Sequence, residues 1–237
     1  IVTSATYRQS SATTPEHYRR DPDNRLLARG PRFRLPAEQI RDNALAISGL
    51  LYRKYGGPSI YPYQPEGLLE EKGQLQYHPV WITSSNPDQY RRGLYVYWKR
   101  MNLYPSLAAF GAPTRQRCSV YRPITNTPMQ ALVLLNDPVF VDAARAFAVK
   151  IMTTGGTGQR ERINQAMLLC LGRPATEDEI SRYSAFIDRQ QTHYHSDTEA
   201  AAKLTAGSHG QIDIAELAAW TTLSSVLLNL DETMTKE

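Results

Sequence analysis

The sequence has few of the features that identify common metalloprotein and membrane classes. Its 237 residues include two cysteines, Cys118 and Cys170, and neither a CxxC nor a CxxCH motif. A thiolate zinc site or a covalently attached c-type haem within this chain is therefore not expected. No apolar run approaches the ~20 residues that a membrane-spanning helix needs. The two cysteines could be joined in a disulfide or remain thiols.

Catalytic sequence motifs are also absent. The chain has no GxSxG, P-loop or HExxH pattern. The sequence HYH could place His193 and His195 on one side of an extended segment, but a metal site would need a third ligand. We therefore predict no metal and assign no catalytic residue. Whether the chain contributes to an enzyme stays open.

The excess of positive charge is small and dispersed. Lys and Arg exceed Asp and Glu by 27 − 23 = +4, and the basic residues are scattered along the chain. Nucleic-acid binding is not predicted, since it usually requires a basic face or stripe. The apolar content of 41% is enough to bury a substantial core.

The first strong helical pattern extends from Pro36 to Gly56. Pro36 suits a first helical position, and basic residues followed by Gly56 predict the end. Glu38, Arg41 and Asp42 share one helix face, which predicts a solvated ion pair. The residues predicted to form the buried face are Ile40, Ala44, Ile47, Leu50 and Leu51.

The middle of the chain is less regular. Residues 58–67 contain three prolines and two tyrosines, which predicts an extended or turn-rich segment. In residues 89–102, Leu94, Val96 and Trp98 alternate as in a strand, whereas other apolar residues fit a helix. The length of this segment slightly favours a helix.

Residues 125–147, TNTPMQALVLLNDPVFVDAARAF, predict two consecutive helices. Thr127 followed by Pro128 predicts an N-cap and a first helical residue. The run that follows is apolar on nearly every side as far as Leu135, so the first helix is predicted to be buried. Asn136 can end this helix in the left-handed conformation.

The second of these helices begins with the same type of cap, Asp137 followed by Pro138. Capping does not require Asn126 or Gln130, so both are candidates for lining a polar site. The predicted inward stripe of the second helix is Phe140, Ala143, Ala144, Phe147, Ala148 and Ile151.

The C-terminal part is predicted to be helical. Thr176 and Glu179 form a capping-box pattern for a helix reaching about Gln191, and it follows another helix across a short connection. Residues 193–210 are polar and predicted as a loop, whereas residues 214–230 predict a long apolar helix at the centre of a helical layer. The predicted fold class is mainly α: an irregular helical bundle with long Pro/Tyr-rich loops and at most a small amount of β.

Six segments follow one another in an order typical of one family. They are DPDNRLLARGPRFRLPAEQIRDNALAISGLL, GGPSIYPYQPEG, RRGLYVYWKR, APTRQRC, TNTPMQALVLLNDPVFVDAARAFA and SSVLLNLDE. In these segments the chain resembles the PSD1 domain, also called DUF1553. The resemblance extends over nearly the whole chain, and long ordered motifs are much more specific than a single short pattern.

The resemblance implies an architecture more than a reaction. It implies one PSD1-like domain over residues 1–237 that lacks its N-terminal part, with a subdivision near residues 155–160 into a loop-rich half, 1–155, and a helical half, 156–237. Family members resemble C-terminal modules of exported planctomycete-type proteins that carry an upstream DUF1549 domain and often a cytochrome c domain. A periplasmic or cell-surface location and haem c in an upstream region are therefore implied, with no cofactor in this chain. Helices missing from such a domain would leave an apolar patch for a partner.

The sequence departs from the family pattern in one neighbourhood. Gly111 stands where an acidic residue is common, Gln116 stands where the Glu of an Arg-Glu pair is usual, and Ile124 stands where Arg is usual. Any carboxylate-based activity of the family at this place would be lost in this member.

Two functions are therefore considered. The first is a structural or interaction module that packs against an upstream domain of the same protein or a partner chain. The alternative is part of a redox-linked carbohydrate-processing or anionic-sugar-binding site formed with that domain, because guanidinium and amide donors suit carboxylate, sulfate or sugar ligands. The missing charges favour the first. The candidate ligand-binding residues are Arg34, Arg41, Gln64, Arg92, Lys99, Arg100, Arg115, Asn126 and Gln130.

Overall fold

The computed structural model describes residues 1–64, 81–99, 103–206 and 212–236. Within these residues it is mainly α, as predicted, with 54% of the residues in helices and 4% in strands. The helices are α1 (Pro15–Arg20), α2 (Ala37–Ser48), α3 (Pro105–Ala109), α4 (Pro128–Asn136), α5 (Pro138–Thr154), α6 (Gln159–Leu171), α7 (Glu177–Ser196), α8 (Thr198–Thr205), α9 (Ile214–Leu228) and α10 (Asp231–Met234).

A short antiparallel sheet joins two distant parts of the sequence. Strand β1 (Phe33–Arg34) pairs with β2 (Thr235–Lys236), with Phe33 opposite Lys236. The Leu35 N–H continues this pairing by donating to the Met234 carbonyl at 2.8 Å. The start of α2 is thereby placed beside α10.

The main core forms around α5 and α9. The predicted stripe of α5 is confirmed, since Ala143, Phe147 and Ile151 are fully buried. Helix α9 packs against α5, α7 and α8, and this three-sided packing buries its apolar residues, including Trp220 and Leu223. The predicted central position of the last long helix is therefore confirmed.

A second, smaller core lies between α2, α3 and the irregular segments. Its buried residues include Ile60, Val96, Tyr104 and Leu107, with Trp81 packed against them. The Trp81 ring stacks on Tyr104 with ring centroids 6.1 Å apart. Aromatic side chains from irregular segments therefore fill much of this smaller core, whereas side chains from helices fill the main core.

The predicted capping signals at Asp137 and Thr176 are confirmed. Asp137 accepts the Val139 N–H at 2.9 Å and caps α5. Thr176 and Glu179 form the capping box of α7, in which the Thr176 N–H donates to the Glu179 carboxylate at 2.8 Å. These contacts lie within a few residues, so the local sequence is sufficient to predict them.

Helix α2 ends earlier than predicted. Its last residue is Ser48, and Gly49 follows in the left-handed conformation with φ +87°. The predicted end at Gly56 is wrong because the apolar residues Leu50 and Leu51 continue the helical spacing after the backbone has turned. A left-handed glycine is a common helix C-cap, and Gly49 takes that role here.

The prediction that α4 is buried is wrong. Gln130 and Leu134 are its buried residues, whereas the side chains of Met129, Leu132 and Leu135 are 60%, 52% and 43% exposed. One face of α4 meets α3, α5 and α9, whereas Met129, Leu132 and Leu135 face away from these helices. The helix also ends without a left-handed residue; the Asn136 amide donates instead to the Leu132 carbonyl at 2.8 Å.

The slight preference for a helix in residues 89–102 is also wrong for the residues described there. The chain forms 3-10 turns at Asp88–Tyr90 and Gly93–Tyr95 and then runs extended. The Ile60 N–H donates to Tyr95 O and the Tyr97 N–H donates to Ile60 O, each at 2.8 Å. Pairing with a distant segment supplies the hydrogen bonds that a helix would have made locally.

Much of the polar stretch after residue 193 is helical. Helix α7 continues to Ser196 and α8 follows at once, so the prediction of a loop is wrong for residues 193–205 apart from Asp197 between the helices. His193 and His195 lie two residues apart on a helix and therefore do not share a face. The HYH sequence provides no paired imidazoles.

Candidate functional site

Two of the predicted ligand-binding residues contact each other. An Arg34 Nη atom donates to Gln130 Oε1 at 3.1 Å, and the other Nη atom bonds to Asp231 at 2.9 Å. The buried Gln130 amide donates to the Ala109 carbonyl and to the Thr125 hydroxyl. Arg34, Gln130 and Thr125 line a cavity of about 190 Å³. Their hydrogen-bonding groups are already used within the protein.

Two of the three positions that depart from the family pattern lie beside this pair. Gly111 and Ile124 line the same cavity. Gly111 has φ +74°, and a Cβ placed there would lie 3.1 Å from the Pro123 carbonyl oxygen. Arg122, also in the lining, pairs with Glu38 at 2.9 Å. The Glu38 carboxylate beside this cavity is therefore already paired with a guanidinium.

Arg41 is a buried link between segments, and the predicted solvated ion pair is wrong. Its side chain is 2% exposed and donates to the carbonyls of Arg91 and Gln89 at 2.7 and 2.6 Å. The Asp42 carboxylate lies 3.8 Å away. Burial lowers the pKa of Arg41, and the nearby Tyr104 and Asp42 oppose that shift. Arg41 thus holds residues 89–91 against α2.

Arg91 plays a related part that the sequence did not reveal. It is 1% exposed and donates to the carbonyls of Lys54, Pro58 and Gly56. Its guanidinium lies 3.9 Å from the centre of the Tyr95 ring. In the sequence RRG nothing distinguishes Arg91 from Arg92, because the difference in burial depends on distant carbonyls.

The remaining predicted residues lie elsewhere. Arg92 is 53% exposed and lines a different groove from Arg34. The Arg115 guanidinium lies 4.1 Å from the centre of the Trp98 ring, and Asn126 is exposed. Gln64 and Lys99 are buried, each 9% exposed, and Arg100 lies outside the described residues. The structure brings Arg34 and Gln130 together and does not gather Arg34 and Arg92 in one pocket.

A buried polar cluster joins α3 to the start of α5. Ser106 and Tyr104 both donate hydroxyl hydrogen bonds to Asp137 Oδ2, the latter at 3.4 Å, and the Val139 N–H donates to Oδ1. Burial raises the pKa of Asp137, opposed by the Ser106 hydrogen bond, and burial raises the pKa of Tyr104. Both carboxylate oxygens are occupied, so Asp137 is not poised as a free general base. The sequence predicted Asp137 as a cap but gave no sign of Ser106.

An apolar groove opens over this cluster between α3 and α4. It has a volume of about 340 Å³, and we call it the α4 groove. Met129 and Leu132 line it, and Leu135, three residues beyond Leu132, lies next to that face of the helix. Such a surface suits the apolar side chains of another protein segment. Its lining residues are Tyr63, Tyr104, Pro105, Ser106, Met129, Leu132, Val133, Asn136, Asp137 and Pro138.

Comparison with protein families matches residues 1–187 to PSD1, described as a protein of unknown function, DUF1553. The chain belongs to the PSD1 family. Helices α1 to α6 and the irregular segments between them lie within the matched residues, whereas α9 and the SSVLLNLDE segment lie beyond them. Comparison with curated proteins and with solved structures finds no match.

The described part of this PSD1 chain bears on the expectations for metal ligands, cysteines and membrane spans. Among those residues no group of three or more His, Cys, Asp or Glu side chains is placed to hold a metal ion. Cys118 and Cys170 are both free thiols, and burial raises the pKa of Cys170 to about 12. Across the same residues, no helix combines the length and apolar character needed to cross a bilayer.

Proposed function

We propose that this PSD1 chain is an interaction module that docks a neighbouring protein domain through the α4 groove. The observation that carries the proposal is the exposure of Met129, Leu132 and Leu135 on one helix that borders an apolar groove. Exposed apolar surface around a groove is typical of sites that another protein covers. The Asp137 cluster beneath the groove fixes α4 relative to α3, which gives the partner a preformed surface.

The partner we propose is a helix or loop of an upstream DUF1549-type domain in the same polypeptide. The aliphatic character of the groove favours an apolar protein segment, and the resemblance described above supplies the identity of the neighbour. On this proposal the whole protein is exported to the periplasm or cell surface and carries haem c in a separate upstream domain. We assign no reaction to this chain.

The alternative, a carbohydrate-processing site shared with the upstream domain, has weaker support. Arg34 and Arg92, two of its predicted binding residues, line different cavities. The raised pKa of Asp137 would suit acid–base chemistry, but its oxygens are already hydrogen-bonded to Ser106, Tyr104 and Val139. Docking at the α4 groove does not require the two arginines or the Asp137 oxygens to be free.

The test compares this chain with the native polypeptide that contains it. Hydrogen–deuterium exchange over Pro128–Asn136 should be slower in the native polypeptide, because a docked domain excludes water from α4. A Leu132→Glu substitution in that polypeptide should release the docked domain and restore the faster exchange. Leu168→Glu, at a position 46% exposed on α6, is the matched control. It should leave the domain docked and the exchange of α4 slow.

Mass spectrometry of the native polypeptide identifies the neighbouring domain in the same preparation. A native polypeptide with no further domain would contradict the proposed partner. Equal exchange of α4 in both proteins would contradict docking at this groove, as would concentration-dependent self-association that Leu132→Glu abolishes, since the occupant would then be a second copy.

A further inference from the structure

A second groove, which α2 lines along one wall, is polar and basic. It has a volume of about 520 Å³, within the range of roughly 300–1,000 Å³ typical of small-molecule sites. Gln39, Asn43 and Ala46 form one wall because they are spaced at three and four residues on α2. The full lining is Leu35, Gln39, Asp42, Asn43, Ala46, Leu51, Arg53, Tyr55, Arg92 and Lys236.

The lining carries an excess of positive charge. Arg53, Arg92 and Lys236 supply three cations against the single carboxylate of Asp42, so the sum is 3 − 1 = +2. Asp42 is already engaged, since its Oδ1 accepts the Gly93 N–H at 2.6 Å. Asp42 also lies 3.8 Å from the Arg41 guanidinium, which offsets part of its charge.

Several donors in the groove remain available. Within the described part of the chain the Arg53 guanidinium and the Gln39 amide make no hydrogen bond. The Arg92 guanidinium contacts Asp42 through Nε at 3.8 Å, which leaves both Nη groups open. Two forked guanidinium groups in one groove match the geometry of a carboxylate or sulfate.

The scaffold holds Arg92 in place even though its side chain is exposed. Gly93, the next residue, packs so closely on α2 that a Cβ would lie 3.0 Å from the Glu38 carbonyl oxygen. The Asp42 carboxylate accepts the Gly93 N–H, and this hydrogen bond holds the Gly93 backbone against α2. The backbone of Arg92 is therefore fixed relative to Gln39 and Asn43.

We propose that this groove binds a sugar that carries a carboxylate or sulfate group. The oxyanion would bond to Arg53 and Arg92, and the sugar hydroxyls would bond to the Gln39 amide and to Asn43 Oδ1. The Asn43 Nδ2 group already donates to the Thr233 carbonyl at 3.0 Å. The Tyr55 ring, 76% exposed at the rim, offers a flat face for the sugar ring. The mixture of neutral amides, one ring and paired guanidiniums favours a small polyhydroxylated anion over a nucleic acid, which needs a basic stripe.

The experiment is a calorimetric titration of this chain with D-glucuronate and with D-glucose 6-sulfate, the two sources of the oxyanion. At least one should bind saturably, whereas neutral D-glucose should not. Arg53→Gln combined with Arg92→Gln should weaken binding by about tenfold or more, since hydrogen bonds to charged groups are lost. Arg182→Gln combined with Arg189→Gln removes the same charge from the exposed face of α7 and should leave binding unchanged.

Tyr55→Ala should weaken binding of the sugar but not of inorganic sulfate. The proposal is overturned if neither charged sugar binds, if inorganic sulfate binds as tightly as glucose 6-sulfate, or if both double variants weaken binding equally. Preferential binding of a hexaglutamate peptide would also overturn it. The inference does not rest on docking at the α4 groove, and Leu132→Glu should leave sugar binding unchanged.

Discussion

The helices α5 to α9 and the irregular segments at residues 51–64 and 81–99 are stabilised in different ways. In the helical part, apolar side chains such as Phe147 and Leu223 are fully buried against one another. In the irregular part, the most deeply buried large side chains include Arg91, and the buried Arg41 reaches this part from α2. Their guanidinium groups donate to carbonyls that no helix or sheet satisfies.

The difference shows how a loop-rich region can be ordered without regular secondary structure. An extended backbone leaves carbonyls without partners, and burying them unpaired costs about 1–3 kcal/mol each. One arginine presents five donors in a fixed fork and can satisfy several such groups together. Arg91 does this for Lys54, Gly56 and Pro58 and thereby closes the turn that they form.

The largest expected effect is in the helical core. Phe147→Ala should lower the free energy of unfolding by about 3–5 kcal/mol, because it leaves a cavity between α5 and its neighbours. Chemical denaturation measures this loss. Phe33→Ala, at a position 48% exposed, is the matched control and should have a much smaller effect. Equal losses in the two variants would show that α5 is not the centre of the core.

A smaller and more local effect is expected in the irregular region. Arg91→Lys should lower the free energy of unfolding by about 2 kcal/mol, because lysine keeps the charge but not the fork that reaches three carbonyls. Hydrogen exchange should accelerate at residues 54–58 before it does in α5. Arg92→Lys changes the neighbouring exposed arginine. It should alter neither the free energy of unfolding nor the exchange at residues 54–58. Unchanged exchange at residues 54–58 in Arg91→Lys would refute the proposed role of Arg91.

A pH-dependent contribution is expected where α6, α7 and α10 meet. Hydrogen bonds from Arg173 lower the pKa of Glu179 to about 2, and Arg173 also pairs with Glu232. A lowered folded-state pKa stabilises the fold above the unfolded pKa near 4.5, and this stability is lost as the pH falls toward 2. The pair is partly exposed, so the loss should be about 1 kcal/mol.

Denaturation curves at several pH values measure this contribution. Glu179→Gln should lower stability near pH 7 and flatten the decline between pH 4.5 and 2. Glu199→Gln removes an exposed carboxylate that pairs with Lys203 on α8 and is the matched control. A decline of the same steepness in Glu179→Gln and the unchanged protein would argue against the Arg173 pair as its source.

The smallest effect is expected on the outer face of α4. Leu132→Glu should change the free energy of unfolding by no more than about 0.5 kcal/mol, because its side chain already faces solvent. Leu134→Ala, on the buried face of the same helix, should cost about 2–5 kcal/mol. A large loss from Leu132→Glu in this chain alone would show that the outer face is part of the core.

The sequence predicted the long helices better than the candidate sites. The stripe of α5 and the caps at Asp137 and Thr176 depend on contacts a few residues apart, so local spacing was enough. Gln130 was singled out as a candidate for lining a polar site because capping does not need it, and in the structure it bonds to Arg34. The groove partners of Arg92 could not be predicted, since they come from α2, the loop after it and β2.

The sequence by itself determined that the chain is helical and where several of its helices begin, because apolar spacing and capping act over one or two turns. Only the tertiary structure decided which sides of those helices meet. Burial of Arg41 and Arg91 depends on carbonyls more than thirty residues away in sequence, and exposure of α4 depends on how few neighbours reach it. Such contacts are set by packing of the whole chain, which no local pattern records.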